Sequence, residues 1–128
     1  MATRTPTVSR NGDGSIMYLA YAGLLNGDDG SPVAVDQWAD PSVDVYGTLG
    51  VGGSLRWEGS NKAEPNPAVA TDWHPLTDPQ GNDLNFAALK VEAVTEVIRW
   101  ARPRVTAGDG TTSLECYVTL RRPNPMRA

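Results

Sequence analysis

The segment Leu114-Glu115-Cys116-Tyr117-Val118-Thr119-Leu120-Arg121 alternates apolar and polar residues without a break. Successive side chains of a strand point to opposite faces, so this period calls for a strand with one dry side and one wet side. The same period runs through 43–49, where Val43, Val45, Gly47 and Leu49 oppose Asp44, Tyr46 and Thr48. It returns at Leu55 and Trp57 against Arg56 and Glu58. Between such stretches stand turn clusters: "RNGDG", "NGDDGSP", "GVGG", "TDPQGN" and "AGDGTT". With 13 Gly and 10 Pro in 128 residues, the chain is punctuated too often for long helices. Short strands with turns every ten or so residues predict an all-β fold. The expected architecture is an antiparallel β-sandwich, jelly-roll-like, of about eight short strands.

The segments sort as follows. Residues 15–25 fit a strand or a short helix, and Ile16, Tyr18 and Tyr21 favour strand. A short strand is expected over 33–40. Residues 43–49 and 55–57 pair as a hairpin across "GVGG", and "AGDGTT" is a second hairpin-type turn. "GSNKAEPNPAVATD" (59–72) is a long loop, followed by a brief strand at "WHPL". The stretch 83–98 mixes helix formers with Val91, Val94, Val97 and Ile98. It reads as a strand near 84–87, a helical turn, and a strand beginning near 95. Three parts result: an extended N-terminal arm (1–14), a sandwich domain (15–122) and a C-terminal tail (123–128). The polar arm and the tail "RRPNPMRA" are poor candidates for self-burial, so their order is expected to come from neighbouring chains.

Charge and cysteine narrow the function. The net charge of −4 argues against general nucleic-acid binding. Residues 1–96 hold five basic against thirteen acidic residues, and residues 97–128 hold six against two. Either these halves meet inside one fold, or a basic edge docks on the acidic surface of another copy. The single Cys116 excludes an internal disulfide and sits at an apolar strand position. No run is long and apolar enough to span a membrane, and the first residues lack the apolar core of a secretory signal. Folding in a reducing cytosol is expected.

A search for catalytic groups finds little. His74 is the only histidine, and Cys116 has no other partner of that type. Cys/His metal spacing is absent, and the Asp-Gly turns lack the spaced ligands of an EF-hand loop. The chain is expected to be no enzyme and to carry no cofactor and no metal. Of four tryptophans, Trp57 and Trp100 lie in strand patterns and are expected in the core. Trp38 and Trp73 border loops, where packing, a subunit interface or a glycan could each use them.

Two resemblances extend this reading. "LRWEGSN", "DWHPL" and "VIRWARPRVTAGDG" resemble a pattern of galactose-binding-like β-sandwiches, matched by Gly59, Ser60, Asn61, Trp73, Trp100 and Arg102. The Asp-Gly that follows Asn in that pattern is replaced by Lys62 and a long insertion, which remodels any inherited ligand loop. Over roughly residues 43 to 122, "VDVYGTLGVGGSLRWEGSN", "LTDPQGN", "VEAVTEVIRWARPRVTAGDGTTSL" and "LRR" look like head decoration, or cement, proteins of tailed bacteriophages. That resemblance implies a virion structural protein, made in the host cytoplasm, on the outer surface of the capsid. Its partners would be the major capsid protein and copies of itself (a homo-oligomer, dimer or trimer), with no nucleic acid and no membrane. The contacts expected under it are Thr3, Arg4, Thr5, Pro6, Thr7, Val8 and Arg10 of the arm, and Arg121, Arg122, Pro123, Asn124 and Met126 of the tail. Loop 61–72 is a third candidate. The alternative is a carbohydrate-binding module on a phage tail or head, working through Trp38 and Trp73.

Overall fold

The computed structural model describes residues 2–123. In chain order the strands are β1 (Thr3–Arg4), β2 (Thr7–Arg10), β3 (Ile16–Leu25), β4 (Asp29–Gly30), β5 (Val33–Ala34), β6 (Ala39–Thr48) and β7 (Ser54–Ser60). A single 3-10 turn (Ala70–Asp72) precedes β8 (His74–Pro75), β9 (Asn85–Phe86), β10 (Val91–Ala93), β11 (Trp100–Ala107) and β12 (Ser113–Arg121). They form two packed sheets, and the fold is an all-β sandwich. The first sheet runs β1-β4-β11-β7-β8, with β5 also on β11 and β9 also on β7. The second runs β10-β6-β12-β3-β2. Pairing is antiparallel throughout except between β1 and β4. The strands beyond the expected eight are mostly two-residue pieces at sheet edges.

The alternation of 114–121 does what its period demands. Leu114, Cys116, Val118 and Leu120 are buried between the sheets, beside Met17, Leu19, Tyr21, Val43 and Val45. Leu55, Trp57, Phe86, Ala101 and Val105 face them from the first sheet. The ambiguity of 15–25 has a local cause. The β3–β12 register slips between Leu114 and Cys116, and Gly23 takes φ 67° there. This bulge moves the next buried residue from 23 to Leu24, and the resulting three-residue step imitates helical spacing.

Both expected hairpins are corrected. β6 and β7 lie in different sheets, and so do β11 and β12. "GVGG" and "GDGTT" are corners that carry the chain from one layer to the other. The corners bind each other: Val51 N–H donates to Asp109 Oδ2 at 2.9 Å, and Thr112 Oγ1 donates to the Leu49 carbonyl at 2.8 Å. The true hairpin is β2–β3, closed by Asn11 Oδ1 on Ile16 N–H and Asp13 Oδ1 on Ser15 N–H. In 83–98, only β9 and β10 form, β11 begins at Trp100, and the helical turn is not there.

The N-terminal segment is extended, but this chain itself holds it. Ala2 N–H and Arg4 Nε donate to Asp28, and Thr3 Oγ1 donates to Asp29 Oδ1 at 2.7 Å. Ser31 N–H donates to the Arg4 carbonyl at 2.8 Å. The acids of "NGDDG" thus receive the chain start. The expectation that this segment is ordered only by neighbours is overturned.

Candidate functional site

The β12 register brings distant predicted residues to one end of the sandwich. Arg121 lies opposite Ile16 on one side and Ala39 on the other. Arg10, the last residue of β2, lies opposite Met17. Trp38 sits on the link between β5 and β6, its N–H donating to the Val35 carbonyl at 3.1 Å, and it packs half-buried against the core edge. The guanidinium carbons of Arg10 and Arg122 stand 5.1 and 5.5 Å from the Trp38 ring centroid. The ring's negative face attracts both cations, each contact contributing about 0.5–1 kcal/mol at an exposed site. Next to this stack, Arg121 Nε donates to Asp40 Oδ2 at 2.5 Å. Asp40 has φ 49° at a register shift of β6, immediately before Pro41. Arg10, Trp38, Arg121 and Arg122 therefore form one cationic, aromatic end, with Pro123 exposed beside it.

The other predicted residues lie elsewhere. Thr3 and Arg4 are tied to Asp29 and Asp28. Thr5 and Pro6 link β1 to β2, and Thr7 and Val8 lie on the exposed β2 edge. Asn124 and Met126 fall outside the described residues. Trp73 is buried, its indole N–H donates to the Asn66 carbonyl at 3.1 Å, and Arg102 covers its ring at 4.3 Å. It has no open face to offer a sugar. Trp57 is in the core, as expected. Trp100 is not: it shares the outer side of β11 with Arg102 and Arg104, half-buried, and its indole nitrogen lacks a partner among the described residues.

Trp73 and Arg102 belong to a buried charge network that sequence reasoning missed. Glu58, on the outer face of β7, is completely buried, and Arg102 is 1% exposed. Arg102 Nε donates to Glu58 Oε2 at 2.6 Å, and its Nη1 donates to Asp29 Oδ2 at 3.2 Å and to the Pro67 carbonyl at 2.9 Å. Arg56 and Arg104 also donate to Glu58. Loop 61–72 closes over this face by giving Arg102 a carbonyl and, at its end, an indole ring. A signal was available. Arg56 and Glu58 occupy one side of one strand, Arg102 and Arg104 one side of another, and Arg102 falls directly opposite Glu58.

Other candidate groups have structural occupations. Asp109 organises its corner, and hydrogen bonds from Thr111 and from the Val51 backbone pull its pKa from 3.8 down to about 2. Cys116 is fully buried, and desolvation pushes its thiol well above the ordinary value. His74 is exposed on β8. No group of three or more His, Cys, Asp or Glu able to hold a metal ion occurs among the described residues.

No protein-family model and no curated protein matches the sequence. Among solved structures, peruvianin-I, a cysteine peptidase from Thevetia peruviana latex, superposes with a TM-score of 0.46 at 13% identity, over 94% of this chain. The chain spans 63% of that peptidase's length. That neighbour is an enzyme, and the expectation that this chain is no enzyme is withdrawn on that finding. At such a distance neither a reaction nor a residue carries over from the peptidase.

Proposed function

We propose that this chain is a virion structural protein that decorates or cements a bacteriophage capsid by binding the outer surface of the major capsid protein shell. The observation that supports it best is the Arg10–Trp38–Arg122 stack with Arg121 beside it. Tryptophan and arginine are the residues in which binding energy concentrates at protein interfaces. Here they come from the start, middle and end of the chain to one exposed end of a rigid sandwich. A rigid end loses little entropy on docking. Many copies on one particle would make a modest single contact sufficient.

The test is gradient sedimentation of particles from producing cells, with detection of this chain. Wild type is expected to travel with megadalton particles and to leave them at high salt. Trp38→Ala and Arg10→Glu/Arg122→Glu chains, checked for fold by circular dichroism, are expected at the top of the gradient. Wild type remaining there as a small species overturns the reading.

A further inference from the structure

The outer face of the five-stranded sheet holds residues with no role in the fold or in the proposed capsid contact. Tyr18, Tyr46, Tyr117 and Val91 are 41%, 50%, 39% and 57% exposed there. Strand register lays them out. One row reads Thr7, Ala20, Tyr117, Asp44, Val91, and the next reads Ser9, Tyr18, Thr119, Ser42, Ala93. Glu115 and Tyr46 follow on one side, and Arg121 ends the opposite side. The Tyr46 and Tyr117 rings meet edge to face at 5.7 Å. Their hydroxyls donate to Asp44 and Glu115, which holds both carboxylates against the rings. Three exposed tyrosines grouped on one uncovered sheet face, two of them in ring contact, make it a candidate interaction surface.

The charges identify the occupant. Glu115 lies at one end of the face and Arg121 at the other, with Asp44 one row in from Glu115. Glu115 and Arg121 are six residues apart on one strand, about 20 Å. Arg121 gives its Nε to Asp40, and its terminal amino groups have no hydrogen-bond partner among the described residues. A two-fold axis lying in the plane of the face, across the strands between Tyr117 and Thr119, brings a second copy over the face with its strand direction reversed. It sets each Arg121 over the other copy's Glu115, each Tyr117 over the other's Thr119, and each Tyr18 over the other's Ala20. We infer that this face is a self-complementary interface, which a second copy of this chain covers across a two-fold axis. Three strands seven residues deep, flanked by the four residues of β2 and the three of β10 at ~4.8 Å spacing, give a flat footprint of roughly 450 Å². Side-chain relief brings this close to the ~600 Å² per partner of the smallest specific interfaces, so a concentration-dependent dimer is expected. Two twisted sheets meeting face to face would cross at about 30°, as in any aligned sandwich.

This inference is tested apart from the capsid reading, because the dimer is measured without particles; Arg121, which borders both surfaces, is the one residue they share. Sedimentation equilibrium of the full chain over a wide concentration range should show a monomer–dimer equilibrium. Arg121→Glu and Glu115→Arg, each with native circular dichroism, should each be monomeric, since each opposes like charges twice across the axis. Mixing the two variants should restore association, and so should the double variant alone. Restoration by mixing two folded, monomeric variants cannot arise from a change in fold stability. Should either single variant unfold, the other and Tyr117→Ser carry the same comparison. A wild type that stays monomeric throughout, or single variants that dimerise like wild type, overturns the inference and leaves the face to a partner of another sequence.

Discussion

Arg102 holds the outer side of the larger sheet together. Its planar fork reaches Glu58, Asp29 and the Pro67 carbonyl at once, with Trp73 stacked on it. A lysine at this position would supply one ammonium where three acceptors diverge. Removing the guanidinium leaves Glu58 fully buried with less compensation and strips Asp29 of its cation. Arg102→Met is therefore expected to destabilise the fold by about 3–5 kcal/mol in urea unfolding, and Arg102→Lys to recover only part of that. Loop 61–72 should loosen in the same variant, seen as faster amide exchange at Asn66 to Asp72, because its carbonyl anchor is gone. That this loop lies over a buried ion network could not be foreseen from its prolines and polar residues. Its composition describes a loop, whereas its docking depends on a residue 35 positions beyond Pro67.

At the scale of elements, the two corners and the N-terminal strands decide stability. Asp109 ties one corner to the other through Val51 N–H and to its own turn through Thr111. These hydrogen bonds favour the carboxylate, so its pKa in the fold, about 2, lies below its ordinary 3.8. The sign follows. The stabilisation is complete above the unfolded value and fades as pH falls through the folded one. The difference in stability between wild type and Asp109→Asn should be constant from neutral pH to near 4 and shrink toward pH 2, as read from thermal unfolding across that range. The N-terminal strands make the second case. Deleting residues 2–10 removes β1 and β2, one from each sheet, and takes from the buried Asp28 its Ala2 and Arg4 donors, leaving only Leu25 N–H. A loss of about 3 kcal/mol or more in unfolding free energy is expected, where a loosely attached arm would cost almost nothing. Such a truncation therefore reports on the fold before it reports on any partner, which is why point variants at Trp38, Arg10 and Arg122 are the cleaner probes of binding.

At the scale of the whole molecule, the uneven charge along the sequence resolves into three places. Part is neutralised inside, where Arg102 and Arg104 meet Glu58 and Asp29. Part forms the exposed end of Arg10, Arg121 and Arg122 around Trp38. The acidic remainder includes Asp44 and Glu115 on the tyrosine face. If the basic end binds a particle, binding should weaken steadily with added salt, since exposed charges are screened within about 10 Å at 0.1 M ionic strength. Loss of particle binding at moderate salt, with the thermal unfolding temperature unchanged, would place the effect at this surface and not in the buried network.

The sequence by itself determined the class of structure and much of its interior. Period-two alternation identifies strands and their dry sides, as Leu114, Cys116, Val118 and Leu120 show, because each side chain's direction follows from its neighbours alone. Clusters of Gly, Asn and Asp identify turns for an equally local reason. What those turns join was decided only in three dimensions. A glycine turn serves a hairpin and a corner equally well, so 43–49 and 55–57, read as partners, went to opposite sheets. The same holds for Trp73, whose loop setting left it open and whose burial depends on Arg102. It holds for the chain start, whose polar residues became ordered because Asp28 and Asp29 turn their carboxylates toward them. Strand pairing spans dozens of residues and is settled by which buried faces and charges fit together, and that fit exists only once the sheets are packed.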